Sequence, residues 1–403
     1  MLVETGMACL GAAGWMLWQQ YVTEGNKLKT LFRAGRLYNG DGTFPELKEK
    51  RRTEYGYCLR LSLPPGMCTD DFERRQQAIE QALGHRVEIK FANGFLLVEV
   101  YEVDLDTHDY EPIKLPGLQL PIGYTYGKRL VKIDLNQEPH LMIAGETGSG
   151  KSVALRSILT NLFLTKPRIK VHLVDLKRVE LRMFAKCKAA ESFSQTPAEA
   201  ASRLKKIYEE VERRYELFMR ADVVDIAEYN KRHQALPYIV VVIDEFAVLR
   251  DHKSAGIIME DLAALARACG VHLIISTQRP DKDVINGRIK ANIPIVLGLK
   301  CKNHTNSMII IDEVGLEDLK GRGHGYLRYK GEMVEVQTMN YALDVEKYMQ
   351  LLISNDWKDH FPVFPLVIAI TDQNLPQVRD YRLIQIRTDL DLAPLKTISR
   401  TGR

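Results

Sequence analysis

The stretch Gly145-Glu146-Thr147-Gly148-Ser149-Gly150-Lys151-Ser152 has the spacing GxxxxGK[ST], with an apolar run before it and an amphipathic run after it. Glycines at its first and sixth positions let backbone N–H groups close around phosphate oxygens, and a helix start behind them adds partial positive charge. Lys151 is placed to reach the β- and γ-phosphates of ATP, and Ser152 to ligate Mg2+. Farther along, YIVVVIDEF is an apolar strand that ends in two carboxylates, Asp244 and Glu245. Asp244 would hold the magnesium through water, and Glu245 would polarise the attacking water. Acidic strand ends are ordinary in isolation; beside a phosphate loop they read as hydrolysis machinery. The chain has no Asn-Lys-x-Asp segment for reading guanine, so ATP is favoured over GTP.

Two other strand ends carry polar residues. In DLKRVE, the residues Asp175, Lys177 and Glu180 read as ordinary charges at a strand-to-helix turn. In VHLIISTQRP, Thr277 and Gln278 follow the next apolar run after YIVVVIDE. ATPases with a Glu after the magnesium-binding Asp usually insert one more strand between the two motif strands. Its end then points at the γ-phosphate, so Thr277 and Gln278 are expected to sense it. The plain alternative is a strand end stopped by Pro280.

These residues need elements to place them. Apolar runs HLMIAG, KVHLVDL, YIVVVIDE, VHLIIST and PIVLGLK alternate with amphipathic helices from about residue 121, which predicts an α/β fold with a parallel, doubly wound sheet. A long helix starts near Thr196-Pro197-Ala198-Glu199, a capping box with proline at the first position, and buries Leu204, Ile207, Tyr208, Val211, Tyr215 and Phe218. The expected organisation is a helix over 1–22, a basic linker over 23–52, a small α/β unit over 53–115, a nucleotide-binding α/β domain over 116–345 and an extension over 346–403. The small unit reads as a strand (YGYCLRLSL), one helix (DDFERRQQAIEQAL) and a hairpin across Asn93-Gly94. The prolines of YEPIKLPGLQLP mark a linker after it. With 403 residues, 45% of them hydrophobic and 27% charged, the chain is a folded protein too long for one ordinary core. A net charge of +4 is compatible with nucleic acid but far from that of a DNA-coating protein. Cys9, Cys58, Cys68, Cys187, Cys269 and Cys301 form no CxxC pair and read as free thiols, without a disulfide frame or a zinc site.

At this point the chain resembles the FtsK/SpoIIIE family of DNA-pumping ATPases. HLMIAGETGSGKS, VDLKRVE, VERRYELF, VVVIDEFAVL, RACGVHLIISTQRPDKDVINGRIKANIP and GRGHGYL occur in that family's order over about residues 118–330. The resemblance implies a RecA-like motor domain that forms a hexameric ring around double-stranded DNA and moves it with ATP. It matches Arg267, in ARACG, to an arginine that reaches the neighbouring subunit's nucleotide; a bland alternative is complementing the dipole of a helix ended by Gly270. Phosphoryl-transfer chemistry supports a finger, since an arginine in trans offsets developing charge.

Two stretches depart from the family. In LKCKNHTNSMIIID, its chromosome-segregating members carry a Lys and an Arg where this chain has His304 and Met308; Lys300 and Lys302, with His304, are left as candidate DNA contacts. The stretch from about 341 does not look like the winged-helix module of chromosome translocases. A compact member resembles the FtsK-type coupling proteins of Gram-positive conjugative elements, whose partners would be transfer-channel proteins, the membrane and a relaxase. Protein secretion and phage or plasmid DNA packaging or segregation are the alternatives. Residues 6–18 are apolar but shorter than the roughly 20 residues of a full span. With Trp15, Trp18 and Tyr21 and the basic residues Lys27, Lys29, Arg33 and Arg36 behind them, they leave open a membrane anchor or a partner-binding helix. The expected location is cytoplasmic, at the inner face of the membrane if the anchor forms.

Overall fold

The computed structural model describes residues 28–166 and 168–341, with Tyr348, Gln350 and Leu352. The helix expected over 1–22 lies outside the described residues, as does nearly all of the 346–403 extension. The chain divides into two units, Met1–Ile353 and Ser354–Arg403, and only the first is described here.

Four antiparallel strands form a small sheet in the order β1-β2-β4-β3: β1 (Glu46–Thr53), β2 (Gly56–Ser62), β3 (Arg86–Ala92) and β4 (Phe95–Tyr101). β3 and β4 turn at Asn93 and Gly94, both at positive φ (51° and 79°), the backbone that a two-residue hairpin's twist requires. Two short helices, α1 (Thr69–Glu73) and α2 (Gln76–Leu83), stand where the sequence reads as one, because Arg75 leaves helical geometry. Leu59, Leu61, Val87, Leu96, Val98 and Val100 pack with Phe72 and Ile79 to make this sheet's core. The basic linker expected over 23–52 is corrected: residues 46–53 are strand, and Phe32 and Leu37 belong to the same core. Only Leu47 of β1 is buried, and charged residues are what an edge strand tolerates.

The second sheet has ten strands in the order β6-β5-β14-β13-β12-β7-β11-β10-β8-β9. Its parallel part contains β7 (Leu141–Ala144), β8 (Ile169–Asp175), β9 (Ala190–Ser194), β10 (Tyr238–Asp244), β11 (Val271–Thr277) and β12 (Ile295–Leu299). Five of these are the expected apolar runs. An antiparallel extension adds β5 (Gln119–Thr125), β6 (Arg129–Asp134), β13 (His324–Tyr329) and β14 (Glu332–Thr338). The first three residues of β5, Gln119–Pro121, fall in the stretch read as a linker. Its Pro121 sits at a shift in register with β6, where a missing N–H is tolerated.

Helix α3 (Lys151–Thr165) follows β7 directly and is buried along most of its length. Helix α4 (Pro197–Ala221) begins as expected: the Thr196 hydroxyl accepts from Glu199 N at 3.3 Å, while the Glu199 carboxylate reaches back to Gln195 N. Its Leu204, Ile207, Val211 and Phe218 pack with Val241, Ile243, Leu273 and Ile275 of the sheet. The helices that follow α4 are α5 (Ile226–Arg232), α6 (Phe246–Arg250), α7 (Lys253–Leu265), α8 (Gly287–Asn292) and α9 (His304–Ile311). Among the described residues no helix is long and apolar enough to cross a membrane.

Candidate nucleotide site

The loop Gly145–Gly150 leaves the end of β7 and is pinned by three neighbours. Gly145 N donates to Thr277 O (3.3 Å), Glu146 N to Lys300 O (2.9 Å), and Gly323 N to Ser149 O (2.7 Å). Gly150 caps α3 at φ 100°, and a Cβ there would lie 2.2 Å from Gly323 N, so both backbone shape and space demand glycine. Among the described residues the buried Ser149 hydroxyl has no hydrogen-bond partner. The first turn of α3 therefore opens onto a loop that a phosphate chain would complete.

Lys151 is buried beneath this loop, its Nζ 2.8 Å from Asp244 Oδ1 and 3.1 Å from Ser276 Oγ. The Ser276 hydroxyl also donates to Asp244 Oδ1 (2.7 Å). Asp244 Oδ2 is buried and has no partner among the described residues, so its lone pairs are available to a metal-bound water. Ser152 Oγ donates to Glu180 Oε1 at 2.7 Å. The donor set fits Mg2+: hard oxygen ligands from one hydroxyl and one carboxylate beside a phosphate cradle. Bound with ATP, the ion would neutralise phosphate charge; Ser152 would ligate it, and Asp244 would hold one of its waters.

Glu245 follows Asp244 at φ 61° and ψ 68°, a left-handed backbone that costs a non-glycine residue about 1–3 kcal/mol. That turn folds its carboxylate back over the strand ends, where it is 1% exposed. Oε1 accepts from the Thr277 hydroxyl (3.1 Å) and Gln278 N (3.2 Å), and Oε2 accepts from Lys177 Nζ (2.6 Å). The Thr147 hydroxyl of the phosphate loop donates to Gln278 Oε1 (3.2 Å). β11 lies between β10 and β7, the insertion expected from the order of the apolar runs. The fold thus collects Lys151, Ser152, Asp244, Glu245, Thr277 and Gln278 into one cluster.

The reading of Asp175, Lys177 and Glu180 as ordinary turn charges is corrected. Asp175 is paired in register with Asp244, its Oδ2 accepts from Leu181 N (2.9 Å), and the turn it shapes delivers Lys177 to Glu245 and Glu180 to Ser152. Ser276 was also missed, and its neighbour Thr277 was the only signal for it.

Other expected residues lie apart. Arg267 is exposed, and its Nη2 donates to Gln137 O (2.6 Å). It precedes the start of β11, and the seven-residue strand puts about 20 Å between that end and the cluster at Thr277. Lys300 has its carbonyl on the phosphate loop, whereas Lys302 and His304 are exposed at the start of α9, which Asn303 caps. The five described cysteines are free thiols.

Residues 115–282 match the FtsK/SpoIIIE family. The DNA translocase FtsK of Bacillus cereus is 38% identical over 346 residues, 80% of this chain and 43% of that protein. The DNA translocase SftA of Bacillus subtilis is 44% identical over 218 residues, 51% of this chain and 23% of that protein. The chain therefore spans less than half the length of either relative. Among solved structures it is similar in fold to the pCW3 conjugation coupling protein TcpA, in monomer form with ATPγS (TM-score 0.58, 24% identity, 82% of this chain and 99% of that one). It is similar also to ATPases 2 and 3 of EssC from Geobacillus thermodenitrificans (TM-score 0.58, 16% identity, 64% of this chain and 53% of that one). With a phosphate loop, an Asp-Glu strand end and a polar strand end inserted between them, this chain carries a domain of the FtsK/SpoIIIE family over residues 115–282.

Proposed function

We propose that the protein hydrolyses ATP to translocate double-stranded DNA, acting as a hexameric ring that couples DNA to a conjugative transfer channel. The observation that carries the ATPase reading is the Glu245 carboxylate, folded back in left-handed geometry against the Thr277-Gln278 strand end, which itself touches the phosphate loop. In this arrangement Glu245 orients the attacking water, Lys151 offsets phosphate charge, and Thr277 and Gln278 transmit loss of the γ-phosphate to the segment after β11. Arg267 lies beyond the end of β11 opposite to this cluster, a placement that suits a residue serving a neighbour's nucleotide. The DNA reading rests on similarity to proteins named DNA translocases, and the conjugative role on likeness in fold to TcpA over 99% of that chain. A membrane, channel proteins and a relaxase are the partners such a role requires.

Protein secretion is the second reading, favoured by likeness in fold to the cytoplasmic domain of the Type VII secretion ATPase EccC of Thermomonospora curvata (TM-score 0.53, 21% identity). ATPase rates with and without duplex DNA, across a salt series, separate the two. Strong stimulation that fades as salt rises is expected, because contacts to DNA phosphates release counterions. Unstimulated hydrolysis at every salt concentration would discard the DNA reading in favour of secretion.

A further inference from the structure

The hairpin β13–β14 touches both the phosphate loop and the four-stranded sheet. At its start, Gly323 N donates to Ser149 O and fills the space beside Gly150. Thr338 N donates to Gly323 O (2.9 Å), and Gln337 Nε2 to Arg322 O (2.8 Å), so β14 fixes the Arg322–Gly323 turn. One residue on, His324 Nε2 lies 2.8 Å from Glu335 Oε1, which also accepts from the Tyr126 hydroxyl (3.2 Å). The other oxygen, Glu335 Oε2, is ion-paired with Arg86 Nη2 at 2.6 Å, a contact of charge without hydrogen-bond geometry. Arg86 belongs to β3, and its Nη1 bonds Glu80 of α2 at 2.9 Å. Burial pushes the Glu335 carboxyl up, but His324 and Arg86 more than offset this and keep it below the usual carboxylate range. Glu335 is thus a largely shielded carboxylate between a buried imidazole and a partly exposed guanidinium, a setting in which a lost partner is costly.

We infer that Arg86 is a positioning residue for the nucleotide site: through Glu335 and His324 it sets the Arg322–Gly323 turn against Ser149 and Gly150. This inference rests on the phosphate loop binding ATP.

A second bridge between the two sheets provides the control. Arg129, on the edge strand β6, bonds Glu88 Oε2 (2.5 Å) and the Tyr101 hydroxyl (2.7 Å); its Nε also donates to the Tyr126 carbonyl (3.3 Å), a backbone contact separate from the Tyr126 hydroxyl on Glu335, and none of these bonds is to Glu335 or His324. The test is ATPγS binding by the full chain, measured by titration calorimetry on wild type, Arg86→Met, Glu335→Gln and Arg129→Met. Arg86→Met and Glu335→Gln are expected to weaken binding about 5- to 20-fold, within the usual range of coupling between sites. Combining them should cost little more than either alone, because both cut one path. Arg86→Lys should recover part of the loss, and Arg129→Met should stay within about twofold of wild type. Should Arg86→Met fail to fold, Glu335→Gln, which keeps the shape and removes the charge that Arg86 pairs with, carries the test, and wild-type affinity in it overturns the inference. Wild-type affinity in both Arg86→Met and Glu335→Gln, or an equal loss in Arg129→Met, would overturn the inference. Failure of the wild-type chain to bind ATPγS would overturn the ATP reading itself.

Discussion

Residue chemistry at this site divides into what neighbours in sequence carry and what only the fold brings in. Lys151 and Ser152 follow their own glycine loop, and Asp244 and Glu245 end one apolar run, so their gathering into one cluster was legible from adjacent residues. Lys177 and Glu180 were not, because their partners lie on β10 and α3 and a charged turn looks the same wherever it folds. Lys177 is now the residue to test. It supplies the charge partner of a carboxylate that is otherwise held by one hydroxyl and one backbone N–H. Hydrogen bonds to charged groups contribute about 1.5–3 kcal/mol, so Lys177→Ala should lower kcat roughly 10- to 100-fold. KM for ATP should change little, since Lys177 does not touch the phosphate loop; unchanged kcat in steady-state assays would refute the assignment. Lys151→Ala should abolish turnover, because no other described side chain reaches the same place under the loop from α3.

Elements were legible to the degree that burial was one-sided or complete. The five central strands are continuous apolar runs because helices cover both faces of a parallel sheet, and that pattern has few other readings. The antiparallel strands β5, β6, β13 and β14 mix charges, prolines and glycines among their apolar residues, so none stands out as a strand in the sequence, and the start of β5 falls in the proline-marked linker. Yet β13–β14 closes the phosphate loop, so the least legible element shapes the most legible motif. Helix α4 shows a similar dependence. Arg214 is 1% exposed, and its Nη1 donates to Cys269 O (2.7 Å), tying α4 to the turn just before β11. Arg214→Met leaves that carbonyl unpaired and should reduce stability by about 2 kcal/mol in urea unfolding. The partly exposed Glu210 adds a pH signature. Burial raises its pKa, but hydrogen bonds from Arg213 and Arg214 bring it down to about 2. A carboxyl depressed in the folded state contributes stability above its unfolded value, near 4.3, and loses it as pH falls to about 2. The urea midpoint should therefore fall across that window, and fall less in Arg214→Met; an equal fall in both proteins would show that the pair contributes nothing.

At the scale of the whole molecule, the fold separates the chemistry from its expected helper. Arg267 sits beyond one end of β11 and Thr277 at the other, so no rotamer of Arg267 reaches the phosphate loop of its own subunit. A ring with nucleotide between subunits gives that placement a purpose, and mixing subunits tests it directly. Lys151→Ala disables the phosphate loop but keeps the arginine; Arg267→Ala keeps the loop and removes the arginine. Each protein alone should form rings that hydrolyse almost no ATP, since every interface lacks one half. Mixed rings contain interfaces where an intact loop meets an intact arginine, and only these should turn over. Activity should peak near equal proportions and vanish toward either pure protein, with rings verified by analytical ultracentrifugation. If Arg267 acted within its own subunit, or merely complemented a helix end, mixing would create no new kind of site. A flat, inactive series in assembled mixed rings would then remove the trans arginine, and with it the strongest residue-level argument for an obligate ring.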